Sequence, residues 1–245
     1  MMNAFNVGDK QEYWKKVVRI AQLATVNRII RCGQIMGRKE SDVQQASQII
    51  YPCMQCADIF EFEADITQLG MDQRKVNVLA RELGPKLGFW KPVVVSHHML
   101  MGLGEPPKAK DIDRVIDLKM SKSKPDTAIF MNDSEEDIKR KIGKAYCPAK
   151  VTEENPVLEY SKYMIFEKFN VMEFKRPEKF GGDLVVENYK ELEKIYSEGK
   201  IHPMDLKNSV AFYINEMVNP VREAFRKDSK LKQLLETIRK FEAAK

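Results

Sequence analysis

Residues 65–75 read Asp65-Ile-Thr-Gln-Leu-Gly70-Met-Asp-Gln-Arg-Lys75, and the architecture turns on them. Residues 65 to 69 are a short β-prone stretch ending at Gly70. Met71 to Leu83 then carries apolar residues at helical spacing, with Gly84-Pro85 as its stop. Val93-Val94-Val95 follows as an all-apolar run, the pattern of a strand covered on both faces. Strand, helix and strand in that order predict a parallel sheet and an α/β architecture.

Upstream, about Lys10 to Arg38 reads as helix, with Val17, Val18, Ile20, Ala21, Leu23, Ala24 and Ile29 as its apolar face. Pro52 is expected to open a second helix, since proline suits a first turn. Downstream, Gly104 to Lys110 is a loop rich in Gly, Pro and Lys, and the texture changes after Pro125. Ser134-Glu135-Glu136-Asp137 is a capped, acidic helix start. The remainder to Lys245 reads as helices broken at Cys147-Pro148, Lys175 to Gly182, and His202-Pro203. The domain boundary is expected near residues 130 to 150.

The chain has 245 residues, 43% hydrophobic and 31% charged, an ordinary globular composition. No apolar run reaches a membrane span. The polar stretch Met1 to Lys16 shows no secretory signal, so a cytoplasmic chain is expected. Cys53-Met54-Gln55-Cys56 has metal or redox spacing, yet no second close pair exists for a structural zinc site. A redox motif stays open, and buried helical side chains are the favoured reading. His97 and His98 are adjacent and diverge on a strand, which speaks against a shared metal. The net charge of +5 is uneven, with clusters at Lys139-Arg140-Lys141 and residues 226–232. It permits a polyanionic partner without requiring one.

Four segments carry chemistry. Tyr51, Gln55 and Asp58 fall at i, i+4 and i+7, so one helical face presents a phenol, an amide and a carboxylate. Their neighbours Ile49, Ile50, Cys53, Cys56, Ala57 and Phe60 are apolar, so the helix is buried and the polar strip needs partners. A ligand with a hydroxyl and an ammonium group suits it. Gly70-Met71-Asp72-Gln73 opens a helix after a parallel strand, where α/β sheets bind ligands. Read alone it is an ordinary capped start. Met99-Leu100-Met101 can wrap a flat base, or be plain core. Lys119-Met120-Ser121-Lys122-Ser123 sets two ammonium groups among small hydroxyl-bearing residues before Pro125. Alone it is a solvated basic turn. In this company it can close over a polyphosphate and stabilise charge that develops during transfer.

Taken together, these segments resemble the tyrosyl-tRNA synthetases of archaeal and eukaryotic cytoplasmic type, from about Tyr13 to Phe225. Lys175-Arg-Pro-Glu-Lys-Phe180-Gly-Gly-Asp183 and His202-Pro-Met-Asp205-Leu-Lys207 extend the likeness. The resemblance implies that Tyr51, Gln55 and Gln73 hold the tyrosine amino group and Asp58 its phenolic hydroxyl. Asp72 lies near the ribose of ATP, and Met99, Leu100 and Met101 near its base. Lys119, Met120, Ser121, Lys122 and Ser123 meet the triphosphate, with Lys119 and Lys122 catalytic. ATP enters as its Mg2+ complex, and no protein-bound metal is implied. Arg31 and Arg74 match positions at the tRNA acceptor end. Phe180, His202, Pro203, Met204 and Asp205 match the surface that reads the anticodon, where a stacked ring and a carboxylate suit an unstacked base. A homodimer is implied, through the helices before Tyr51.

The family's His-Ile-Gly-His-like element is missing, because the chain's three histidines are His97, His98 and His202. Residues 1–135 therefore resemble the second half of a Rossmann-like catalytic domain, and 136–245 an all-helical anticodon-binding domain. Catalysis is expected to need the missing half. A truncated enzyme, a split reading frame and a degenerate copy all remain open. The segment Gly104 to Leu118 exceeds the shortest family linkers and is expected to loop out. Rivals are a tRNA-binding module without activity and a tryptophanyl-tRNA synthetase. Asp58 opposes the latter, since a carboxylate suits a phenol.

Overall fold

The computed structural model describes residues 10–36, 45–107, 118, 120 and 124–243. These divide into two compact units. The first runs to Met99; the second takes up Leu100–Pro106 and resumes at Met120.

The first unit begins with α1 (Lys10–Leu23) and α2 (Val26–Ile30), followed by a 3-10 segment, Arg31–Met36. The single long helix expected here is broken at Thr25, whose hydroxyl accepts from the Arg28 amide at 3.3 Å and starts α2. Tyr13, Val17 and Ile20 recur at helical spacing and are buried in α1, whereas Val18 and Leu23 are exposed. Helix α3 spans Ala46–Glu61. Pro52 lies well inside it rather than opening it, because the start is set at Gln45, whose amide donates to the Gln48 side chain at 3.3 Å.

Strand β1 (Ile66–Gly70) pairs in parallel with β2 (Val93–His97), in register from Ile66 opposite Val93 to Gly70 opposite His97. Between them lie a 3-10 turn, Met71–Gln73, and α4 (Arg74–Leu87). The expected parallel strand–helix–strand unit is present. Two details differ. Helix α4 passes through Gly84-Pro85 and ends at Gly88, which adopts the left-handed conformation at φ 82°. Gly84 provides space: a Cβ there would collide with the Trp90 carbonyl oxygen and sit 3.2 Å from the Phe60 ring. The strands are not covered on both faces, since Ile66, Val93 and Val95 are 64%, 52% and 46% exposed. The core lies instead between α1, α3 and α4, around Ile20, Cys56, Phe60, Val76 and Leu79.

The second unit packs α5 (Glu135–Lys144) against the long α8 (Pro203–Lys227). Ser134 caps α5 as expected, accepting from the Asp137 amide at 3.0 Å. Between these helices come α6 (Pro156–Tyr160), continued by a π-turn over Ser161–Ile165, and α7 (Tyr189–Ser197); α9 (Ser229–Ala243) ends the unit. The unit is not all-helical. Strand β3 (Met172–Phe174) pairs antiparallel with β4 (Leu184–Val186). Met172 and Phe174 point inward and are buried, while Glu173 between them faces out. Three-residue strands on either side of a long turn give too short an alternation to stand out among helical segments.

Lys141 is buried within this unit. Its ammonium donates to Asp133 Oδ2 at 2.7 Å and to the Ala128 carbonyl at 3.0 Å, and lies 4.6 Å from the Phe130 ring centroid. Leu103 donates its amide to the Thr127 carbonyl and accepts from the Tyr146 amide, so this loop region is tied on both sides.

Candidate active site and nucleic-acid surface

Helix α3 presents the polar strip on one face. Its opposite face, with Cys53, Cys56 and Ala57, is buried, so rotation of the helix is fixed by the core. All four cysteines are free and buried. Burial pushes the Cys53 thiol up to about 11, which disfavours a reactive thiolate near neutral pH. Among the described residues no group of three or more His, Cys, Asp or Glu side chains has metal-binding geometry.

Gln55 and Gln73 meet: the Gln55 amide nitrogen donates to the Gln73 side-chain oxygen at 2.8 Å. This bond ties α3 to the turn that follows β1. The Gln55 amide keeps a second N–H and its own oxygen for a polar ligand. Tyr51 lies one turn before Gln55. Burial first, and the nearby Asp58 charge second, hold its phenol proton more tightly than usual.

Asp58 is half-buried, and its carboxyl is raised above the usual range. Burial is the main cause; Glu61 adds to it. A hydrogen bond from Tyr13 opposes the rise. The Tyr13 hydroxyl donates to Asp58 Oδ1 at 2.8 Å, across 45 positions of sequence. That contact had no signature in local spacing. The signal that existed was Tyr13 at i−4 and i−7 from Val17 and Ile20, on the buried face of α1.

Gly70 lies where the chain turns from β1 toward α4. A Cβ at this position would collide with the Met99 sulfur and lie 2.8 Å from an Asp72 carboxylate oxygen. Glycine thus lets Asp72 and Met99 converge on the end of the parallel strand, at an ordinary φ of −63°. Leu100 and Met101 belong to the second unit, where Met101 is buried and its amide donates to Glu159 at 3.1 Å. Lys119, Ser121, Lys122 and Ser123 lie outside the described residues, as does most of the segment Gly104 to Leu118. Met120 is described: it packs against the core of the second unit, where the Tyr160 hydroxyl approaches its sulfur at 3.6 Å.

Arg31 and Arg74 are exposed on the first unit, and Arg31 donates to the Asn27 carbonyl at 3.3 Å. On the second unit, Arg176, Phe180, Gly199, Lys200, His202, Met204 and Asp205 line a cavity of about 450 Å³. Arg176 braces it, donating to the Gly182 carbonyl and the Lys200 carbonyl, each at 2.9 Å. Asp183 accepts from the Arg176 amide and the Lys175 ammonium. The Phe180 ring is 61% exposed, with the Lys179 ammonium 5.0 Å from its centroid. His202 is the N-cap of α8, accepting the Met204 amide on Nδ1 at 3.2 Å, and Pro203 occupies the first turn. The imidazole therefore offers a ligand its other nitrogen. Asp205 follows in that first turn.

Comparison with known proteins bears on this geometry. A cytoplasmic tyrosine–tRNA ligase of Arabidopsis thaliana is 48% identical across 96% of this chain, which spans 30% of that relative. The tyrosine–tRNA ligase of Saccharolobus solfataricus is 41% identical over 98% of the chain, which spans 68% of it. A Pyrococcus horikoshii tyrosyl-tRNA synthetase crystallised with L-tyrosine superposes with a TM-score of 0.84 at 40% identity, over 94% of this chain and 66% of that one. The family model for class I tRNA synthetases (W and Y) matches residues 1–219. On that match, the chain belongs to the family of class I tRNA synthetases (W and Y).

Proposed function

We propose that this chain carries the tyrosine pocket and the tRNA surface of a tyrosine–tRNA ligase. The observation that carries the reading is the polar strip of α3, where Asp58 already accepts a hydrogen bond from a phenol at 2.8 Å. A carboxylate that binds one phenol in a half-buried setting suits the hydroxyl of a tyrosine substrate. The relatives that match over nearly the whole chain are tyrosine–tRNA ligases, which favours tyrosine over tryptophan. Tyr51, Gln55 and Gln73 supply the acceptors for the substrate ammonium, and the Gln55–Gln73 bond preorganises two of them.

In the reaction, tyrosine and ATP, entering as its Mg2+ complex, give tyrosyl-adenylate and pyrophosphate. The tyrosine carboxylate attacks the α-phosphate with loss of pyrophosphate, and the tyrosyl group of the adenylate then passes to a terminal ribose hydroxyl at the 3′ end of tRNA(Tyr) with release of AMP. Asp72 and Met99, which converge beside Gly70 at the end of β1, are assigned to the ribose and the base of ATP. Lys119 and Lys122 are the cations assigned to the triphosphate. Arg31 and Arg74 take the acceptor end of the tRNA. The cavity beside Phe180 and Asp205 takes an anticodon base by stacking and by acceptance from a base edge. A homodimer through the first helices, and a cytoplasmic location like that of the Arabidopsis relative, complete the reading.

The test separates the two ligands. Asp58→Asn is expected to weaken tyrosine binding about tenfold to a hundredfold, the size of a hydrogen bond to a charged group. It leaves tRNA(Tyr) affinity unchanged. Unchanged tyrosine affinity in a titration would remove the site assignment. Steeply salt-dependent tRNA binding without tyrosine binding would point to a tRNA-binding module alone.

A further inference from the structure

We infer that Tyr13 is a positioning residue for substrate specificity: its phenol holds one oxygen of Asp58 from the core side and leaves the other to a substrate phenol. The inference rests on the reading of Asp58 as the acceptor of the substrate hydroxyl. Tyr13 is only 2% exposed and packs in the core with Val17 and Ile20. A phenol has a single proton to donate. The 2.8 Å contact to Asp58 Oδ1 takes it, in preference to the Met54 carbonyl at 3.4 Å. Oδ2 is not engaged by Tyr13, and Asp58 as a whole is only half-buried. The two sides of the carboxylate thus differ. One is bound by a fixed internal phenol, and the other is left for an incoming one. Because Tyr13 is core, it cannot swing out to make room without opening the unit.

The consequence is discrimination. With Oδ1 taken, the carboxylate cannot turn away from the pocket, so a substrate lacking a hydroxyl strands Oδ2 without a donor at a desolvated site. Among the described residues, four groups couple to the charge of Asp58. Tyr13 from α1 stabilises it, Glu61 further along α3 opposes it, and Tyr51 and Cys56 on the same helix are near enough to feel it. Glu61 is itself paired with Lys16 at 2.6 Å. Removing the Tyr13 hydroxyl takes away the hydrogen bond that opposes burial and Glu61.

The experiment is calorimetric titration of tyrosine and of phenylalanine into the full chain, as wild type and Tyr13→Phe, between pH 5 and 8. Expected is an about tenfold weaker tyrosine Kd in the variant with phenylalanine affinity unchanged. On acidification, tyrosine binding should fail at a higher pH in the variant than in the wild type. A variant that has lost packing would weaken both amino acids alike and keep the pH profile, which would overturn the inference. Unchanged affinities would overturn it, and so would tighter tyrosine binding, which would make Tyr13 a competitor for the site. Each of these leaves the function reading standing so long as Asp58→Asn weakens tyrosine binding in the same titration. A wild-type chain that binds no tyrosine overturns both.

Discussion

The two units treat buried charge in opposite ways. In the second, the Lys141 ammonium and Asp133 carboxylate, 4% and 10% exposed, neutralise each other at 2.7 Å, and the Ala128 carbonyl accepts a further hydrogen bond from the ammonium. In the first, Asp58 faces a neutral phenol, and burial raises its carboxyl above the usual range. A paired buried charge is a structural fixture. A half-buried carboxylate that leans on a neutral donor has no counter-charge of its own, and perturbed carboxyls of this kind are enriched at functional sites. The sheets differ in the same direction. Strands β3 and β4 bury Met172, Phe174 and Val186 completely, whereas β1 and β2 leave Ile66, Val93 and Val95 in solvent. The first unit derives its order from helix packing behind the strands, and the sheet sets Gly70, Asp72 and Gln73 where the chain turns from β1 toward α4.

The contrast breaks most readily at Lys141. Lys141→Ala leaves the Asp133 carboxylate buried and unpaired, and should cost about 3–5 kcal/mol. Chemical denaturation followed by hydrogen exchange should place the loss in α5 and α8 and leave α3 and α4 protected. Protection lost equally in both units would erase the distinction.

A smaller effect of opposite sign is expected at Asp58. A carboxyl raised in the folded state binds its proton more tightly than in the unfolded chain. Its contribution to stability is full below the ordinary aspartate value and is lost as pH rises through the raised one. At neutral pH, Asp58→Asn should therefore raise the melting temperature slightly while it weakens tyrosine binding. The gain over wild type should vanish on acidification below the ordinary aspartate range. A melting temperature lowered at pH 7 would show that Asp58 is structural, like Asp133.

The smallest effect belongs to the strands. Val95→Thr, on an exposed position, should change stability by no more than about 0.5 kcal/mol in a urea titration. A loss of several kcal/mol would mean that this face of the sheet is covered in solution.

Much of this was legible in the chain. The i, i+4, i+7 spacing of Tyr51, Gln55 and Asp58 put them on one face, and the strand–helix–strand order around Gly70 set the parallel pair. Proline and glycine misled at Pro52 and Gly84-Pro85, because both helices are held by tertiary packing that overrides a local break. Gly84 is required by the close approach of Phe60 and Trp90, a contact invisible to local rules. The β3–β4 ladder was missed for the brevity of its strands. The Tyr13–Asp58 bond joins two helices through the core, and only the buried spacing of Tyr13 with Val17 and Ile20 hinted at it.

The most direct measurement is equilibrium binding of free tyrosine and free phenylalanine to the 245-residue chain by isothermal titration calorimetry. Binding of tyrosine with a clear preference over phenylalanine, lost in Asp58→Asn, is the expected result. Equal affinity for the two amino acids, or a preference that survives Asp58→Asn, would contradict a pocket built around the substrate hydroxyl.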